Sequence, residues 1–146
     1  MCDRQEMMRI VRQGYAARVR GDVDGVLGAF TDDAVFRLNA APFNPVTTVH
    51  AFVGGDLRLA MKQLIENFEF SNFEILDSVA EGSKIAVRSM FTVRARKTGK
   101  IAYTEILDLI EFRDGKICSF AQFFDTACAN ALLDPQAAYA VAGLPA

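Results

Sequence analysis

Residues 84–125 constrain this chain more than any other stretch. They read KIAVRSMFTVRARKTGKIAYTEILDLIEFRDGKICSFAQFFD. Three runs of β-branched and aromatic residues are divided by two glycine-bearing breaks, Lys97-Thr98-Gly99 and Arg113-Asp114-Gly115. That spacing predicts an antiparallel meander. Its register depends on the turns. A two-residue Asp-Gly turn pairs Asp108 with Ala121, and a three-residue loop with a left-handed Gly115 pairs Asp108 with Phe120. Alternation favours the second. It gathers Ile106, Ile110, Phe112, Phe120, Gln122 and Phe124 on one face and leaves Glu105, Glu111, Ser119 and Ala121 on the other. The same loop type at Gly99 pairs Arg96 with Lys100, which sets Arg88 opposite Asp108 and Met90 opposite Ile106. The expected inner belt is Arg88, Asp108, Met90, Gln122, Ile106 and Phe120. An apolar surface with a few converging polar groups suits a small-molecule pocket. It equally suits a packed core holding one buried ion pair.

The chain has 146 residues, of which 51% are apolar, enough for one domain with a sizeable core. We read residues 1–146 as that single domain. The net charge of −2 is spread along the chain. No basic stripe points to nucleic acid, and no apolar run approaches a membrane span. Arg94, Arg96, Lys97 and Lys100 fall at an expected hairpin tip and read as a solvated turn. Asp3, Arg4 and Glu6 precede any apolar segment, so no signal peptide is expected. Three cysteines without a Cys-x-x-Cys spacing fit reduced thiols and a cytoplasmic location. A lone histidine, His50, gives no metal cluster.

Taken in order, residues 3–20 read as a helix with Met8, Val11, Tyr15 and Val19 on its apolar stripe. Gly21 stops it, and Asp22 caps a second helix expected to run through Phe30. A short strand is expected over 34–38. The segment 39–54 carries Pro42, Pro45, Phe43, His50 and Phe52, and reads as a candidate lid or irregular cover with a strand near 47–52. A third helix over 55–69 and a strand over 70–80 lead into the meander, and a last helix follows Asp125. Helices before a long meander imply an α+β fold: N-terminal helices packed on a strongly curved antiparallel sheet, a cone enclosing an apolar pocket.

The runs RQGYAARVRGDVDGVLGAFTDDAVF and EFRDGKICSFAQFFD resemble the nuclear transport factor 2-like superfamily, within it the SnoaL-like and ketosteroid-isomerase-like group. The resemblance spans about residues 7–133 and implies the same cone-shaped fold. Ketosteroid isomerases use a tyrosine and a protonated aspartate as an oxyanion hole, with a second aspartate as base. Tyr15 and Asp108 match the first two. Leu38 stands at the base position, beside Asn39, and neither takes a proton. Against the limonene-type epoxide hydrolases, Arg88 matches the arginine, while Met90 and Gln122 replace both aspartates, which disfavours that chemistry.

The resemblance therefore implies catalytic candidates Asp108 and Tyr15. Arg88, Met90, Ile106, Phe120, Gln122, Phe124, Phe30 and Leu38 are expected to surround a small hydrophobic ligand. No metal or cofactor is expected. The activity implied is a cofactor-free isomerase, hydratase or cyclase. A non-catalytic carrier of a hydrophobic metabolite and a dimeric module with a filled interior are the alternatives. Arg88 beside Asp108 is expected to hold that carboxyl ionised. Leu107, Leu109, Ile117 and Phe123 are expected on the outer sheet face, where the superfamily commonly forms homodimers.

Overall fold

Each helix begins where the sequence supplies a cap. In the computed structural model, which describes residues 2–39 and 50–136, α1 covers Arg4–Arg20. The Asp3 carboxylate accepts from the Glu6 N–H at 2.8 Å, and Gly21 ends the helix with φ 72°. Only glycine takes that left-handed turn without strain. The buried residues are Met7, Ile10, Val11, Tyr15 and Ala17, so the stripe is rotated from the expected one, and half-buried Met8 packs at the edge of the core beside a groove that Arg4 and Asp77 also line. Asp22 caps α2, Val23–Leu27, by accepting from the Gly25 N–H at 2.9 Å.

The remaining elements are β1 (Phe30–Asn39), β2 (His50–Val53), α3 (Gly54–Asn67), β3 (Phe68–Glu81), β4 (Lys84–Ala95), β5 (Ile101–Arg113), β6 (Lys116–Phe124) and α4 (Thr126–Leu133). Phe30 thus opens a strand, not the end of the second helix. Residues 40–49, with Pro42, Phe43 and Pro45 of the expected lid, lie outside the described residues. One sheet holds all six strands in the order β2-β1-β6-β5-β4-β3. It is antiparallel except for β1 and β6, which run parallel. Irregularities in β3, β6 and β1 bend it, as bulges do. The inner face carries Phe36, Ile85, Val87, Phe91 and Ile110, each essentially sealed from solvent. Each such side chain contributes roughly 1.5–3 kcal/mol.

The meander forms, but its register departs from expectation at both hairpins. Asp114 and Gly115 both have positive φ, 52° and 77°, so Arg113 and Lys116 close a two-residue turn. One extra residue in β6, between Ile117 and Ser119, then shifts the pairing. Asp108 therefore faces Gln122, two places from the expected Phe120. A slip of two keeps every side chain on its own face, so the inward grouping of Ile106, Ile110, Phe112, Phe120, Gln122 and Phe124 stands. The bulge also turns Ile117 inward, to 4% exposure, removing it from the expected outer patch.

At the other hairpin the slip is one. The Ala95 N–H donates to Lys100 O at 2.9 Å, so four residues, 96–99, form the loop. Asp108 faces Val87, Arg88 faces Leu107, and Met90 faces Glu105. This puts Arg88 and Met90 on the outer face. The loop itself is less solvated than expected. Thr98 Oγ1 donates to Leu132 O at 2.5 Å, and Lys100 Nζ donates to Ala131 O and Asp134 O at 3.3 and 2.5 Å. A cation and a hydroxyl satisfy the carbonyls at the end of α4, where the helix dipole favours positive charge.

Candidate active site

Tyr15 enters the interior because it lies one turn along α1 from Val11, and helical spacing brings both to the buried side. Its ring meets Phe73 and Phe91 edge-on, at centroid distances of 5.5 and 5.2 Å. Its hydroxyl reaches β5 and donates to Asp108 Oδ2 at 2.5 Å. Gln122 Nε2 donates to the other oxygen, Oδ1, at 3.0 Å. The strand register supplies this second partner: Val87, Asp108, Gln122 and Leu38 form one row across β4, β5, β6 and β1. Beside that row stands Ser89, fully buried, whose Oγ has no hydrogen-bond partner of good geometry among the described residues. It is near enough to Tyr15 to ease loss of its proton.

Asp108 has 0% exposure and, among the described residues, no cation beside it. Burial raises its pKa from 3.8 to about 7, outweighing the opposing pull of the hydrogen bonds from Tyr15 and Gln122. Burial, followed by the Asp108 charge, pushes the Tyr15 phenol well above its usual range, so it remains protonated. The expectation that Arg88 keeps Asp108 ionised is therefore overturned. Arg88 donates to Glu105 Oε1 at 2.8 Å on the far side of the sheet.

Above the row lies a cavity of about 100 Å³, mostly apolar. Tyr15, Phe30, Ile106, Phe120, Gln122 and Phe124 stand in its wall, as expected. Phe120 is fixed between Phe30 and Phe36, at 5.9 and 5.8 Å between centroids. Arg88 and Met90 are absent from the wall because the one-residue slip turned them outward. Leu38 is buried at 5% exposure but packs in the core beside Gln122 and does not reach the wall. Asp108 also lies outside the wall, behind Tyr15 and Gln122, so it reaches the cavity only through them.

The direction of the Tyr15–Asp108 hydrogen bond depends on one proton. When Asp108 is ionised, Tyr15 must donate to it. When Asp108 is neutral, its carboxyl O–H can donate to Tyr15, freeing the phenol O–H to point at a ligand oxygen. The arrangement is thus a proton-dependent donor facing an apolar chamber.

The wall also holds Gly14, Arg18, Thr104, Asp125 and Cys128, which were not anticipated. Arg18 was legible in principle, three residues after Tyr15 on the same helix face. Asp125 and Cys128 enter because Asp125 caps α4, accepting from the Cys128 N–H at 3.0 Å. Burial and then Asp125 push the Cys128 thiol up, so it is no ready nucleophile at neutral pH. Among the described residues no cluster of His, Cys, Asp and Glu converges as a metal site, and no helix is long and apolar enough to cross a membrane.

The SnoaL-like domain model matches residues 11–120, so the chain belongs to the SnoaL-like domain family. The fold places it in the nuclear transport factor 2-like superfamily. It is similar to a Bacillus subtilis protein provisionally described as an isomerase: TM-score 0.79, 15% identity, covering 91% of this chain and 96% of that one. It is also similar to an NTF2-like protein from Burkholderia xenovorans LB400, with TM-score 0.70, 25% identity and coverage of 92% and 100%. A protein of ketosteroid isomerase-like fold from Catenulispora acidiphila, in complex with trimethylamine, superposes with TM-score 0.70 at 12% identity over 88% and 96%. Among curated proteins, none matches the sequence at a significant level.

Proposed function

We propose that this chain binds a small, largely apolar carbonyl compound and polarises its oxygen through the Tyr15 hydroxyl. The observation that carries this reading is the 2.5 Å Tyr15–Asp108 hydrogen bond, with Asp108 buried and without a cation. A neutral carboxyl behind a phenol strengthens the phenol as a donor to developing enolate charge, and an apolar wall keeps water from competing. The reaction class this serves is cofactor-free isomerisation, or a related hydration or cyclisation. In that role Tyr15 touches the substrate, Asp108 acts through Tyr15, and Gln122 holds the Asp108 carboxyl from its place in the wall. The similarity to the Bacillus protein supports the direction of this reading.

A second reading is a carrier without turnover. It is favoured by Leu38, buried where the isomerases keep their base. Among the described residues, Asp125 is then the one carboxylate in the wall. Two measurements separate the readings. Binding of naphthol, a neutral enolate mimic, should fall at least about tenfold in Tyr15→Phe. Exchange of α-protons of propiophenone in heavy water should occur if the site is catalytic. Naphthol binding with no exchange leaves the carrier, and binding that ignores Tyr15 removes both.

We further propose that a single domain pairs with a second copy through the outer sheet face. Leu107, Leu109 and Phe123 there are 42%, 46% and 43% exposed. A cluster of large apolar residues on one face marks an interaction surface. Light scattering at micromolar concentration should give twice the chain mass, and Leu109→Lys should give the monomer. A wild-type monomer would overturn this.

A further inference from the structure

The wall of the cavity holds a cation that no described residue neutralises. Arg18 sits one turn beyond Tyr15 on α1. Its guanidinium lies 3.9 Å above the Phe70 ring, and Nη2 donates to Leu64 O and Phe68 O at 3.1 and 2.8 Å. These contacts use one nitrogen and fix the plane of the fork. Among the described residues, Nε and Nη1 make no hydrogen bond, and no carboxylate lies within ion-pair distance. Glu69, which lies between Phe68 and Phe70 in the sequence, is taken by Arg96 at 3.1 Å. Arg96 itself adds like charge, which together with the larger effect of burial pushes the Arg18 pKa down to about 9. Asp125 is in the wall too, but it is exposed, and its carboxylate caps α4.

Buried guanidinium groups are costly unless paired, and their planar donor pair matches a carboxylate in two parallel hydrogen bonds. Gly14, one turn before Arg18, leaves the wall open beside it: a Cβ built there meets nothing within 4 Å. A mid-helix glycine costs about 1 kcal/mol relative to alanine, so the space is kept at some expense to the helix.

We propose that Arg18 is an anion subsite and that the pocket takes an amphiphilic keto acid, its carboxylate on Arg18 and its carbonyl oxygen on Tyr15. This rests on the carbonyl-binding reading above and narrows it to a substrate class. The helix spacing of Tyr15 and Arg18 sets the two polar ends one turn apart, with apolar side chains between them.

The test compares β-benzoylpropionate with its methyl ester by calorimetry. The pair shares one skeleton and differs in charge. The wild-type protein should bind the acid about tenfold or more tightly than the ester. Arg18→Gln should bring that ratio to about one while leaving ester binding in place. Arg18→Lys, which keeps the charge but loses the fork, should fall between. Should Arg18→Gln fail to fold without its bonds to α3, the wild-type acid-to-ester ratio and the lysine variant still decide. Equal binding of acid and ester by the wild type, sensitive to Tyr15→Phe, overturns the anion subsite and leaves the carbonyl site standing. No binding of either probe, with no change in the Tyr15 ring resonances, overturns both.

Discussion

Asp108 and Glu105 stand three residues apart on β5 and point to opposite sides of one sheet, and their surroundings are opposite in kind. Glu105 is half exposed and holds Arg88 at 2.8 Å. Asp108 is sealed and has only neutral partners, Tyr15 and Gln122. Water screens the outer pair, so its charges cost little and contribute little. The inner carboxyl has no such screening, and burial without a cation favours its neutral form. The chain has placed this ion pair where it is energetically minor. It has kept the interior for a group whose proton is in balance near neutral pH.

The sharpest way to break this contrast is deletion. Asp108→Ala removes the partner of one buried and one half-buried donor and opens a void, which should lower unfolding free energy by roughly 3–5 kcal/mol. Arg88→Ala should change it by less than about 1 kcal/mol. Urea denaturation of both variants measures the difference. Similar losses would place the two carboxylates in equivalent settings.

The pH dependence is next in size. A carboxyl whose pKa rises from 3.8 to about 7 on folding holds a proton that the unfolded chain has released. Its contribution to stability is full below about pH 4 and is lost as pH climbs through about 7. The loss is on the order of 2–4 kcal/mol. Asp108→Asn places an amide N–H toward Tyr15 permanently and should flatten the curve between pH 5 and 8. A wild-type curve that rises over that range would contradict the buried, uncompensated carboxyl.

Gly14→Ala should raise stability by about 0.5–1 kcal/mol, because the helix gains and nothing is struck. It should also weaken binding of ligands in the cavity, which calorimetry would read. The smallest effect belongs to the outer pair: a double-mutant cycle on Arg88 and Glu105 should give about 0.5 kcal/mol, vanishing in molar salt.

The inner and outer faces also differ in how legibly the sequence marked them. In β5 and β6 the expected grouping survived, although the pairing was two residues off, because an even slip preserves faces. The bulge near Cys118 caused that slip, and no residue there announces a bulge. In β4 the slip was odd, and it moved Arg88 and Met90 to the wrong side. The strand's own alternation carried the answer: Ile85, Val87, Phe91 and Val93 alternate with Arg88, Thr92 and Arg94. These four apolar positions constrain the face more strongly than a loop length read from one glycine. Tyr15 and Asp108 came from family resemblance, whereas their hydrogen bond required the tertiary packing of α1 on the sheet. Arg18 is hidden in the sequence because a charged residue near an apolar stripe reads as its solvent edge. Its burial depends on Phe70 and the end of α3, both distant in sequence.

The most direct measurement is the titration of the Asp108 carboxyl carbon, followed by carbon NMR in protein labelled at aspartate and assigned with Asp108→Asn. A midpoint close to 7, with the Tyr15 ring resonances moving in the same transition, is the expected result. A midpoint in the ordinary carboxylate range near about 4 would mean that Asp108 is charged at neutral pH, and Tyr15 would then have no proton to offer a ligand.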